Sequence, residues 1–345
     1  MKRTLTIALC LLLTIALVAC GGSPTPAPAT PDTGTPDTAT PDTAAPEAPE
    51  PQQPDDTQKE IAVLFPGDVG YFNAVKEGFE RGAAEFNFKI TYFDAGWDAE
   101  TQVSQIEDAI QRNFDLIAVC CADALAFQNA VPDINAAGIP VIAFTNGIGT
   151  DPTGLFPGLV TYVGQNEIDT GRIVGEYAVQ LLGDAGGKVV RIEGVPGTTP
   201  QINRRAGFEE GIASNPNIEI VFTQTSNWSK EEAIRIVEDL IQANTEMHLI
   251  YAQDAGSAIG ASMALQEAGL RDQVYILAID GSIEALAAVK DGTIDATTWM
   301  SAKDEGYYTM KAAHDFFNGV DVPSVTQLYQ VLVTKDNVDQ FEGQF

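Results

Sequence analysis

Residues 188–222 read KVVRIEGVPGTTPQINRRAGFEEGIASNPNIEIVF. An apolar run, Lys188–Ile192, ends in a Gly/Pro/Thr loop at 194–199. A helical candidate, Gln201–Ala213, follows, and a second apolar run, Ile218–Phe222, closes the unit. Strand, helix, strand in this order predicts parallel strands joined by a right-handed crossover. The alternation extends both ways. Upstream lie the runs Ile61–Phe65, Ile90–Phe93, Leu116–Cys121, Pro140–Phe144 and Val160–Val163; downstream lie Leu249–Tyr251, Val274–Ile279 and Ala296–Trp299. Helical candidates occupy 72–86, 101–112, 126–136, 166–182, 229–243, 256–268, 284–290 and 304–317. In the first of them Val75, Phe79, Ala83 and Phe86 recur at three- and four-residue steps, the core stripe of a helix. The strand runs are continuously apolar, as in sheets covered by helices on both faces. The expected fold class is α/β.

The rhythm breaks in a Gly/Pro-rich stretch, Asn146–Pro157, and restarts after Gly164-Gln165-Asn166. Two Rossmann-like lobes are therefore expected, each a parallel sheet flanked by helices. One large sheet with a long insertion is the alternative.

The N-terminus is of a different kind. Lys2 and Arg3 precede an uncharged run, Leu5 to Ala19, that ends Leu17-Val18-Ala19-Cys20. This is the layout of a secretory signal peptide, too short for a comfortable membrane span of ~20 apolar residues. The ending looks like a lipobox, with Cys20 the lipidated residue of the mature protein. Residues 1–19 are thus expected to be removed. Residues 20–58 read as a disordered tether, since Gly21–Gln58 holds ten prolines and eight threonines and no apolar face. Acyl chains on one cysteine would be the sole membrane attachment.

The chain of 345 residues carries a net charge of −29. With two cations in the leader and seven acids in the tether, the part from Lys59 onward carries −24. Such a field disfavours nucleic acid and anionic lipid as partners. Of four cysteines, only Cys120 and Cys121 fall in this part. Neighbours in a strand point to opposite faces, so they read as two buried thiols rather than a disulfide. With no Cys-x-x-Cys and only two histidines, His248 and His314, no metal site is expected. Phosphate-loop, dinucleotide and nucleophile-elbow patterns are absent, and no cofactor is expected.

Ligands of open α/β sheets bind beyond the C-terminal ends of the strands. The residues just past the apolar runs include Tyr71 and Phe72, Thr145 and Asn146, Arg204, Trp228, Asp254 and Asp280. Aromatic faces stack on sugar C–H faces, carboxylates accept from adjacent hydroxyls, and a guanidinium donates as a fork. This mix suits a small polyhydroxylated ligand. Each residue also has a structural alternative: Asp254 and Asp280 as helix caps, Trp228 as packing, and Arg204 with Arg205 as solvated helix charges. Arg204, four residues before Phe208, is expected to project from the first helical turn towards the cleft.

From Lys59 to about Lys335 the chain resembles the periplasmic sugar-binding proteins of the ribose-binding type. The resemblance rests on Tyr71-Phe72, on Gly138-Ile139-Pro140-Val141-Ile142 leading into Thr145-Asn146, and on Gly197-Thr198-Thr199 with Arg204 and Gly207-Phe208. It continues through Tyr251-Ala252-Gln253-Asp254, Ile279-Asp280-Gly281 and Asp291-Gly292-Thr293. It implies a hinge of three crossings, with residues 59–163 and 301–327 in one lobe and 164–300 and 328–345 in the other. It further implies ring stacking by Tyr71-Phe72 and Trp228, and polar contacts by Arg204, Asp254 and Asp280. The chain departs from the pattern in three places. Ribose-type binders carry an Asp-Arg pair at Thr145-Asn146, Asn at Asp254, and often Gln at Met300. The hydrogen-bond code for ribose is therefore altered.

The function these readings imply is that of a lipid-anchored extracytoplasmic solute-binding protein. It would be a monomer that captures a small carbohydrate between its lobes and delivers it to an ABC permease. It is not expected to be an enzyme. A sensory receptor for a sugar or furanosyl signal is the alternative, and a glycan enzyme acting through Asp254 and Asp280 a remote one.

Overall fold

Each apolar run becomes a strand whose alternate residues enter two different cores. In β1 (Lys59–Phe65), Ile61, Val63 and Phe65 pack into one helical layer, and Ala62 and Leu64 into the other. The structure, a computed structural model, describes residues 58–345. The leader, Cys20 and the tether up to Thr57 lie outside the described residues.

After β1 come α1 (Gly70–Phe86), β2 (Phe88–Asp94), α2 (Ala99–Gln111), β3 (Leu116–Val119), α3 (Ala130–Ala136), β4 (Val141–Phe144) and β5 (Thr161–Gly164). A second series follows: α4 (Glu167–Leu182), β6 (Gly187–Glu193), α5 (Thr199–Ile212), β7 (Ile218–Thr225), α6 (Lys230–Gln242) and β8 (Leu249–Ala252). It continues with α7 (Ala255–Glu267), β9 (Tyr275–Leu277), α8 (Ile283–Asp291) and β10 (Ala296–Met300). The chain then forms α9 (Ala302–Phe317), β11 (Val325–Gln327) and β12 (Gln330–Thr334).

The strands form two six-stranded sheets, ordered β11-β5-β4-β3-β1-β2 and β12-β10-β9-β8-β6-β7. This excludes one large sheet. All pairings are parallel except β10 with β12. The chain passes between the sheets after Gly164, between Met300 and Ala302, and between Gln327 and Gln330. Each sheet is buried on both faces by separate apolar clusters. Cys120 and Cys121 are free thiols buried on opposite faces of the first sheet.

Two helix pairs come into backbone contact through glycines. A side chain at Gly78 would strike the Lys303 carbonyl on α9, and one at Gly306 the Val75 carbonyl on α1. The second sheet repeats the device: Gly171 of α4 lies against the Arg204 carbonyl, and Gly207 of α5 against that of Ile168.

The structure departs from the sequence pattern in three places. The helical candidate 126–136 is a 3-10 turn, Ala126–Asn129, followed by α3, because Pro132 has no N–H to continue one ladder. Strand β11 lacks a continuous apolar run, being a short, partly exposed edge strand, and the edge strand β12 carries only the short run Val331–Val333. Among the described residues, no helix is long and apolar enough to cross a membrane.

Candidate ligand-binding cleft

The loops beyond the strand ends of both sheets enclose a cavity of about 360 Å³. All nine residues singled out from the sequence line it: Tyr71, Phe72, Thr145, Asn146, Arg204, Trp228, Asp254, Asp280 and Met300. Hydrogen bonds bring the lobes together at one rim. There the Ala124 N–H donates to the Gly197 carbonyl at 3.2 Å, and the Gly147 N–H to Thr199 Oγ1 at 2.9 Å.

Two indoles sit at equivalent stations. Trp97 follows β2, Trp228 follows β7, and both have left-handed backbones, φ 64° and 62°. Each lies where a Cβ on the facing glycine would be, Gly67 for Trp97 and Gly194 for Trp228. The next residues, Asp98 and Ser229, cap α2 and α6. The loop thus folds back into a helix with the ring turned onto a glycine. Sequence reasoning missed Trp97, although Gly96-Trp97-Asp98 mirrors Asn227-Trp228-Ser229. Non-glycine residues held at positive φ cluster at functional sites.

The carboxylates of the second lobe are structural and accessible at once. Asp254 caps α7, accepting from the Ser257 N–H at 2.9 Å and the Ser257 hydroxyl at 2.5 Å. Asp280, itself at φ 107°, accepts from the Ala255 N–H and the Ser282 N–H, each at 3.0 Å. Both open onto the cavity yet lie deep in the protein. Burial raises both carboxyl groups, Asp280 to about 6.

Arg204 differs from its expectation. It lies in the second turn of α5, not the first, and its fork is already engaged. Nε and Nη2 donate to the two Glu167 oxygens at 2.7 and 2.9 Å, and Nη1 donates to the Gln253 carbonyl at 2.7 Å. Glu167 is a residue the sequence reading did not single out. Arg205 pairs with Glu193 instead.

In the first lobe a buried acid holds two cleft residues from behind. Glu305, in the first turn of α9, accepts from the Tyr71 hydroxyl at 2.8 Å and from the Thr145 hydroxyl and N–H at 2.8 and 3.0 Å. Burial raises its carboxyl to about 7, although these three donors pull the other way. Thr145 has φ 51°, and Asn146 donates to the Cys121 carbonyl at 2.7 Å. Phe72 is largely core, with its ring centre 5.0 Å from that of Phe65, and is only 3% exposed. Met300 ends β10 as part of the apolar floor.

Two further lining residues escaped the sequence reading. Phe345 packs edge-on against Tyr71, ring centres 5.4 Å apart. Gln165 sits where the chain first crosses between lobes and is only 2% exposed. Neither atom of its amide has a hydrogen-bond partner in the protein.

A periplasmic binding protein domain matches residues 61–320. The chain belongs to the periplasmic binding protein family. A ribose import binding protein of Bacillus subtilis (strain 168) is 27% identical over 252 residues, covering 73% of this chain and 79% of that one. A xylitol-binding protein of Mycolicibacterium smegmatis is 28% identical over 282 residues, covering 81% and 78%. Among solved structures, an ABC transporter solute-binding protein from Bacillus halodurans C-125 with bound myo-inositol superposes with a TM-score of 0.78. It shares 29% identity over 85% of this chain and all of its own. The resemblance to ribose-type sugar-binding proteins is thereby shown, and with it the two-lobe α/β fold. Members of the family are binding proteins rather than enzymes and serve importers outside the cytoplasm. Their ligands support a carbohydrate-binding role here.

Proposed function

We propose that this protein captures a small polyhydroxylated ligand between its lobes and hands it to an ABC importer. The observation that carries the reading is a single cavity walled by Trp97 and Trp228 and edged by Asp254 and Asp280. Indole faces suit the C–H faces of a sugar or cyclitol, and the carboxylates accept from neighbouring hydroxyls. Tyr71, Thr145, Asn146, Arg204 and Met300 complete the wall, with Phe72 at its edge. Ligand bound by both lobes favours the closed form, which the permease recognises. The Leu-Val-Ala-Cys ending at Cys20 and the Pro/Thr tether support a lipid anchor that keeps a monomeric binder near the permease.

A panel of pentoses, hexoses, alditols and cyclitols tests this by titration calorimetry and tryptophan fluorescence. One saturable binder that quenches or shifts the indole emission is expected. Binding of an amino acid or nucleoside with no polyol binding would overturn the carbohydrate reading.

A further inference from the structure

The buried acids at the cleft outnumber its cations. Arg204 is the only basic residue lining the cavity among the described residues, and it faces three carboxylates, those of Glu167, Asp254 and Asp280. Its Nε and Nη2 already hold Glu167 in a bidentate pair. Glu284 also lines the cavity but is paired with Lys230 at 2.5 Å. Asp254 and Asp280 are left without a cation of their own. They stand side by side, since Asp280 accepts from the N–H of Ala255, the residue after Asp254. Each of their four oxygens accepts one hydrogen bond and has capacity for another. Deep carboxylates without a counter-charge are unfavourable, and a cation on the ligand supplies one. Trp97, on the same cavity, offers an indole that suits a cation too, whereas the Trp228 ring already has the Arg204 guanidinium 6.0 Å from its centre.

A second, separate observation points to the rest of the ligand. The Gln165 amide is nearly fully buried against this cavity with both its atoms unpaired. The Tyr71 hydroxyl lies near it but donates to Glu305. An amide that needs both a donor and an acceptor is matched by hydroxyl groups, which are both.

We infer that the ligand is a polyol bearing a protonated amine, an aminosugar or aminocyclitol, with its ammonium between Asp254 and Asp280 and hydroxyls on Gln165. This rests on the reading of the cleft as a polyol site and narrows it.

The test uses matched sets that differ in one group: glucose, glucosamine and N-acetylglucosamine; galactose, galactosamine and N-acetylgalactosamine; myo-inositol and an aminodeoxy-inositol. Titration calorimetry at neutral pH compares each set on the wild-type protein and on two variants. At least one amine is expected to bind about ten- to a hundredfold tighter than both its hydroxyl and acetamide twins, the worth of a charge-assisted bond. Asp254→Asn should abolish that preference while keeping the α7 cap, which Asn makes as well as Asp. Gln165→Ala should weaken amine and hydroxyl twins alike. Asp280→Asn serves in the same way if Asp254→Asn fails to fold. Hydroxyl twins binding as tightly as the amines would overturn the inference and leave the polyol reading standing. Absence of binding by every set and by the wider polyol panel would overturn both.

Discussion

Trp97 and Trp228 hold the same position in the two lobes, each turned onto a glycine by a left-handed backbone. Both rings should therefore contribute to the ligand. Trp97→Ala is expected to weaken binding by roughly 1–3 kcal/mol, as is Trp228→Ala, with little change in fold. Calorimetry checks this, and wild-type affinity in the Trp97 variant would remove that residue from the site. Glu305 makes a prediction of another sort. Burial lifts its carboxyl from 4.5 to about 7, so the folded state holds its proton more tightly than the unfolded chain does. Between those values the native protein binds more protons, and stability falls as pH rises. The full shift corresponds to on the order of 3 kcal/mol. Thermal midpoints of the ligand-free protein should drop from pH 5 to pH 8, and Glu305→Gln should flatten that dependence. Equal slopes in both proteins would show that other groups control it.

Helices α4 and α5 touch backbone to backbone, and this approach is what lets Arg204 reach Glu167. Gly207→Ala would push a methyl group into the Ile168 carbonyl. A loss of roughly 1–3 kcal/mol is expected from such overpacking. It should appear as a lower denaturant midpoint at unchanged slope, and an unchanged midpoint would show that the helix pair can shift. Elements of this kind were legible in the sequence where burial writes a pattern. Strands covered on both faces, such as Leu116–Val119, are wholly apolar, and Val75 and Phe79 mark the inner side of α1. The edge strand β11 leaves no such mark, because it is short and partly exposed, and β12 leaves only the brief run Val331–Val333. The second lobe's cleft acids were legible because they directly follow strand ends. Glu305 was not, since its role depends on Thr145, 160 residues away. Glu167 and Arg204, 37 residues apart, meet through the same kind of long-range packing. Trp97 was legible in principle, through the repeated loop that also places Trp228.

At the scale of the whole molecule, two similar sheets face each other across one cavity and touch at its rim through Ala124–Gly197 and Gly147–Thr199. The residues that close the lobes are neighbours of those that line the cleft. A ligand that touches both lobes would favour the state in which they are together, as the proposed function requires. The acidic cleft sits in a strongly acidic protein, so the field outside and the charge inside favour the same cationic class of polyol. The decisive experiment is a crystal structure of the protein with the tightest-binding member of the polyol and aminopolyol panel. Density is expected for one ligand between the Trp97 and Trp228 rings, within hydrogen-bond distance of Asp254, Asp280 and Gln165. Ligand seated elsewhere, or bound without contact to either lobe's indole, would contradict it.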